Sequence, residues 1–359
     1  MDKILTVVIP TYNMERYLRY CLDSLCVGRG SDVLEVLVIN DGSTDSSSAI
    51  AHEYEQKSPG IFRVIDKENG NYGSCVNRGL TEAKGKYVKI LDADDSFDTE
   101  NFQHFIDFLC TTDADLVLSD FAVVGVDRNV MKVIKYGLGA GTIFDMCKVC
   151  GSHSFVNMQM HAVTYKRDTL LQLGYRQTEG ISYTDQQWIF IPMVAVKTVA
   201  HFDGVIYKYL VGRAGQTMNP EVKMRNVTHT LKCALDMSAE YQRHYDNVHG
   251  TALQKYLDAR IIPFIKEGYV SSLANYNHDT KKMLADIDCL LKERSPYVYN
   301  LIGSKDVSSF HGFEYINYWR RHKNINSMLM RIICRIYLKM LASKLKAREQ
   351  DPMYVPVSF

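Results

Sequence analysis

The 359-residue chain predicts an α/β fold, a mainly parallel sheet with helices on both faces, followed by a helical C-terminal region. Three observations carry that prediction. Ile4–Ile9 is a β-branched run of the kind that forms a strand buried on both faces. Strand and helix patterns then alternate through the first third, which implies βαβ units with right-handed crossovers. Polar clusters stand at three strand ends, at Thr11-Tyr12-Asn13, Asp41-Gly42-Ser43 and Asp92–Asp95. In such sheets ligands bind beyond the carboxyl ends of the strands, so the three clusters converge on one crevice.

The elements follow in order. After the first strand, Asn13 precedes Met14–Cys26, where Tyr17, Leu18, Cys21, Leu22 and Leu25 recur at helical spacing. Leu34–Ile39 is the second strand, and Thr44 can cap a helix running through Tyr54. Phe62–Ile65 is the third strand, Ser74–Ala83 the third helix and Tyr87–Leu91 the fourth strand. Asp98 and Thr99 can cap Glu100–Cys110. Further strands are expected near Leu116–Ser119, Val130–Lys135, Ala162–Tyr165 and Val205–Leu210, with a helix over Asp185–Val196. From Pro220 the pattern turns helical, over Glu221–Tyr245, Thr251–Ala274, Thr280–Lys292 and a last segment from Tyr315. The expected domains are therefore 1–219 and 220–359.

Bulk properties exclude several classes. A net charge of +1 predicts no nucleic-acid partner. Nine scattered cysteines form no even framework and suit a reducing, cytoplasmic setting. Cys147 and Cys150 have no second pair to complete a zinc site. The run Ile4–Pro10 lacks the features of a signal peptide, and Trp188–Phe202 is shorter than the ~20 residues that span a bilayer.

Lys86–Asp95 ends an apolar run in three carboxylates within four residues. Like charges so close raise one another's pKa unless a cation offsets them. A hard divalent cation shared with a diphosphate is one reading, and capping of the next helix is the other.

Five spaced motifs decide between them. Val-Val-Ile-Pro-Thr-Tyr-Asn (7–13), Ile-Asn-Asp-Gly-Ser-Thr-Asp (39–45), Asn69 to Leu80 with Asn77-Arg78-Gly79, Ala83–Tyr87 and Asp92-Ala-Asp-Asp resemble, in that order, the family 2 glycosyltransferases. The resemblance covers residues 3–120 and resumes around 160–218. It implies a GT-A type, Rossmann-like fold and an inverting transfer from a nucleotide sugar, most simply a UDP-sugar. Pro10, Thr11, Tyr12 and Asp41 would line the nucleotide pocket. Asn77 and Arg78 would lie on the donor side, with Arg78 reaching either a phosphate or an aspartate of the acidic turn. Asp92 and the adjoining Ala93 would contact the donor, and Asp94 would hold Mg²⁺ or Mn²⁺ against its diphosphate. Asp95 would buttress the turn. Asp185 would be the catalytic base, where the family more often has Glu-Asp in place of Thr184-Asp185. His161 and Trp188 would lie on the acceptor side. Tyr207–Met218 resembles a loop that closes over the donor, with Arg213 at the diphosphate.

The Gln-x-x-Arg-Trp motif of processive synthases is absent, which implies transfer of a single sugar to a glycan or lipid-linked acceptor in cell-surface polysaccharide synthesis. A sugar nucleotidylyltransferase would need a Gly-rich basic loop after the first strand, and Pro10–Asn13 is none. A non-catalytic nucleotide- or lipid-binding scaffold would not need both Asp94 and Asp185.

Between Arg320 and Arg348 lie nine basic residues and no acidic one. Ile325, Leu329, Ile332, Ile333, Ile336 and Met340 share one helical face, and Arg331, Arg335 and Lys339 another. Such a helix either lies on the inner surface of an anionic membrane, as a peripheral anchor, or packs on the catalytic domain.

Overall fold

The computed structural model describes residues 2–139, 141–213, 226–322, 328–347 and 351–354. The described residues up to 213 form one compact unit, and those from 226 to 354 another. The boundary expected at 219/220 and residues 214–218 of the donor loop lie outside the described residues.

The first unit is built on a ten-stranded sheet. Its strands are β1 (Leu5–Thr11), β2 (Leu34–Asn40), β3 (Phe62–Asp66), β4 (Tyr87–Ile90), β5 (Ser96–Phe97), β6 (Leu116–Val124), β7 (Val130–Ile134), β8 (Ile143–Asp145), β9 (Val163–Lys166) and β10 (Thr198–Leu210). The main path is β3-β2-β1-β4-β9-β6-β10-β5, with β7 beside β6 and β8 beside β10. β3, β2, β1 and β4 are parallel, as are β6 and β10. β9 runs antiparallel between β4 and β6, so both parallel groups point the same way. Every residue of β1 and β2 is buried, as strands covered on both faces require.

Four helices accompany the first half: α1 (Glu15–Asp23), α2 (Ser47–Lys57), α3 (Asn71–Glu82) and α4 (Thr99–Thr111). Asp45, rather than Thr44, holds the start of α2, its carboxylate accepting from the Ser47 and Glu15 amides. Asp98 caps α4 by accepting from the Asn101 amide at 3.1 Å. With that cap supplied, none of the three acids of the preceding turn is needed for it.

Two expected elements differ in extent. The helix over Asp185–Val196 is a single turn, Asp185–Trp188, followed by a separate 3-10 turn over Ile191–Val194. Pro192 has no amide hydrogen to continue the first turn. The last strand starts at Thr198 and carries irregular register between Phe202 and Tyr207, which hides its length from a pattern of strict alternation.

The second unit is helical apart from one small two-stranded ribbon. Its longer helices are Val227–Arg243, Ala252–Ala274, His278–Arg294, Pro296–Gly303, Tyr315–Arg321 and Met328–Ala347. Thr251 caps one by accepting from Gln254, and Asn277 with Thr280 forms a capping box on the next. Asp288 ties three segments together, accepting from the Tyr269 hydroxyl at 2.6 Å and from Arg320 at 2.8 Å. The basic terminal helix packs on Ala252–Ala274 of its own unit, burying Met330, Ile333 and Cys334. Lys323, Ile325 and Arg348 of the tail lie outside the described residues.

Candidate active site

Adjacent ends of β1, β2 and β4 bring the polar clusters together. Thr11 stands opposite Asn40 in the ladder, and the Asp41 amide donates to the Thr11 carbonyl at 2.8 Å. Asp41 is buried, and its carboxylate accepts from Lys67 and from the Gly70 amide at 3.0 Å. It is thus held in place by the loop before α3 and does not cap α2. Pro10 and Thr11 are buried, whereas the Tyr12 ring is 48% exposed at the rim. Asn13 adopts a left-handed backbone (φ 53°), and its side chain accepts from the Thr44 amide at 2.8 Å, tying the two turns together.

The acidic turn follows β4. Asp92 accepts from the Tyr72 hydroxyl at 2.8 Å, and its amide donates to the Tyr207 hydroxyl. Asp95 is buried and accepts from the Tyr207 hydroxyl and from the Leu210 amide, each at 2.7 Å, so it fastens the turn to β10. Asp94 forms an ion pair with Arg213, whose guanidinium also lies 5.5 Å from the Tyr17 ring. Ala93 is buried between them.

Asp185 opens its turn two residues after Tyr183, which has a left-handed backbone (φ 70°). Gln186 donates to its carboxylate at 2.9 Å. Asp185 lies close enough to the acidic turn for its charge to raise the pKa of Asp92 and Tyr72.

Burial above all, and then Asp94, push Asp92 up to about 7; the Asp185 charge adds to this. Asp95 is pushed well above the usual carboxylate range by burial, then by Asp94 and Asp92. Such a cluster is primed for a cation. The donor set fits a divalent ion, since one ligand atom each from Asp92, Asp95 and His161 lie within 4.8 Å of one another. The buried His161 Nδ1 has no hydrogen-bond partner among the described residues. Burial and then Lys89 push His161 down to about 3, leaving the imidazole neutral, the form that ligates metals.

Three of the expected site residues make other contacts in this structure. Arg78 pairs with Glu82 on the outer side of α3, at 2.9 Å, and not with the acidic turn. The buried Asn77 commits both ends of its amide to the segment 177–179, donating to the Gln177 carbonyl and Glu179 and accepting from the Gln177 amide. Trp188 is fully buried against Tyr165 at 4.8 Å, as a core side chain is.

Sequence reasoning missed Tyr72, Lys67, Tyr207 and Lys89. Lys89 had a signal. It stands inside the run Tyr87-Val-Lys-Ile-Leu91, and a lysine in a doubly buried strand needs a partner. Its amine donates to the His161 carbonyl at 2.8 Å and the Val163 carbonyl at 3.3 Å. The Tyr72 and Tyr207 contacts join residues 20 and 112 positions apart and leave no local trace.

A GT-A type sheet with a buried acidic turn at the end of β4 defines the class. The comparisons agree with it. Residues 6–167 match the model of glycosyl transferase family 2. A glycosyltransferase named GlyA from Streptococcus pneumoniae is 33% identical over 121 residues, 34% of this chain and 17% of that protein. An uncharacterized glycosyltransferase of Mycoplasma pneumoniae is 43% identical over 103 residues, 28% of this chain and 34% of that protein. The chain thus spans about a third or less of the length of these curated relatives. The crystal structure of S. aureus TarS residues 1–349 in complex with UDP-GlcNAc shares the fold, with a TM-score of 0.56 and 19% identity over 89% of this chain and 92% of that one. Residues 6–167 are thus a domain of the glycosyl transferase family 2 type.

Proposed function

We propose that this chain is an inverting, metal-dependent, nonprocessive glycosyltransferase. It moves one sugar from a nucleotide sugar, UDP-linked, to a hydroxyl of a glycan or lipid-linked acceptor during cell-surface polysaccharide synthesis. The observation that carries this reading is the raised acidic turn at the end of β4 with Asp185 facing it. Two separate carboxylate sites on one crevice match the two tasks of the reaction, anchoring a diphosphate and removing a proton.

Asp41, held by Lys67 and Gly70, presents an acceptor for the base, and Tyr12 offers a ring face at the rim. Mg²⁺ or Mn²⁺ held at the turn by Asp94, the ligand that the resemblance implies, beside the clustered ligand atoms of Asp92, Asp95 and His161, would offset the charge of the diphosphate leaving group. Arg213 neutralises Asp94 in the structure and is placed to exchange that carboxylate for a phosphate oxygen. Asp185 takes the proton of the attacking hydroxyl on the face of the sugar away from the diphosphate. Its alignment matters more than its basicity.

The test is release of UDP from UDP-sugars with Mn²⁺ and a glycan acceptor pool. Asp185→Asn should lower kcat by about 10²–10⁴-fold with little change in donor binding. Asp94→Asn should weaken donor and metal binding together. Undiminished turnover in both variants would refute the mechanism.

A further inference from the structure

The terminal helix Met328–Ala347 divides its apolar residues between two faces. Met330, Ile333 and Cys334 are buried against Ala252–Ala274. Met328, Ile332, Ile336 and Met340 recur at intervals of four and are 79%, 44%, 40% and 45% exposed. They form a row about 18 Å long, since twelve residues of helix rise 1.5 Å each. Arg331, Arg335 and Lys339 are exposed too, each one position before a member of that row, so a basic row runs beside the apolar one. The helix contains no aspartate or glutamate. A terminal helix folded only to finish a core has no reason to leave four large apolar side chains in water in register with three cations.

We infer that this helix docks on an anionic membrane surface, with the apolar row among the acyl-chain ends and the basic row at the lipid phosphates. The charge of the face selects this occupant. An apolar row alone would suit any hydrophobic partner, but paired with an uninterrupted line of cations it complements a sheet of negative headgroups. The helix lies on the surface and does not cross it: no helix among the described residues is long and apolar enough to span a bilayer. Because the inner face of the helix stays packed on its own unit, docking requires no unfolding. The assignment rests on this face alone and is independent of the catalytic reading.

Flotation of the full chain with vesicles tests it. The chain should rise with vesicles of 30% phosphatidylglycerol in phosphatidylcholine and stay down with phosphatidylcholine alone. R331Q/R335Q/K339Q should bind the anionic vesicles roughly a hundredfold more weakly, and raised salt should weaken the wild type in the same way. I332S/I336S should also lose flotation while keeping its melting temperature, as substitutions on an exposed row should. No flotation of the wild type at low salt would overturn the proposal, and so would equal flotation of the basic-row variant. Concentration-dependent dimerisation that I332S/I336S abolishes, with vesicle binding unchanged, would show instead that the row meets a second copy.

Discussion

Asp92 titrates near pH 7 because burial and the neighbouring Asp94 and Asp185 charges all oppose its ionised form. A raised folded pKa means that its contribution to stability is fully present below about 3.8 and is lost as pH rises through about 7. A divalent cation reverses that balance by favouring the carboxylate. The acid limb of kcat/KM should therefore fall near pH 7 at low Mn²⁺ and move to lower pH as Mn²⁺ is raised. A limb indifferent to Mn²⁺ would separate Asp92 from the metal. Trp188 makes the contrasting prediction. Trp188→Ala should cost about 3–5 kcal/mol in urea unfolding, because it empties a core site beside Tyr165 and Tyr175. At this scale residue types were legible but directions were not. The Asp-Ala-Asp-Asp spacing announces a cluster of carboxylates, yet nothing in Gln186-Gln187-Trp188 says that the indole points inward.

At the scale of elements, α3 links the donor side to the segment that leads to Asp185. Its Gly73 packs so tightly that an added Cβ would stand 2.2 Å from the Thr178 carbonyl oxygen, a backbone atom that cannot turn away. One helical turn on, Asn77 clamps the same segment from the same face, and Gln187 donates to the Thr178 hydroxyl and accepts from its amide. Gly73→Ala should cost about 1–3 kcal/mol through overpacking, and Asn77→Ala a similar amount through the amide and carbonyl groups it leaves unpaired. Both disturb one segment, so the double variant should cost less than the sum of the two. Strict additivity would show that the helix does not act as a single clamp. The helix was expected from Ser74 and starts at Asn71, whose left-handed backbone (φ 66°) admits no simple helical pattern upstream. The βαβ order was readable because hydrophobic period is local. The insertion of β9 between β4 and β6 was not, because strand pairing across about 75 residues is set by the packing of the whole sheet.

At the scale of the whole molecule, the buried Lys89 joins the core to the site. Its amine is shielded from water and supports the backbone that carries His161. Desolvation lowers its pKa from 10.5 to about 7. The two carbonyls it contacts match the two N–H donors of a neutral amine, so the uncharged form is satisfied where it stands. The sign follows from linkage. A depressed folded pKa means a contribution that is greatest above about 10.5 and is lost as pH falls through about 7, where the buried amine takes up its proton. Lys89→Met removes this titration but leaves the carbonyls without the amine. The stability advantage of the wild type over Lys89→Met should therefore grow from pH 7 to pH 10, with a slope of at most about 1.4 kcal/mol per pH unit, and stay level below pH 6. Urea midpoints of both proteins across that range give the measurement. A difference independent of pH would mean that Lys89 keeps its charge inside the fold, held by the His161 and Val163 carbonyls.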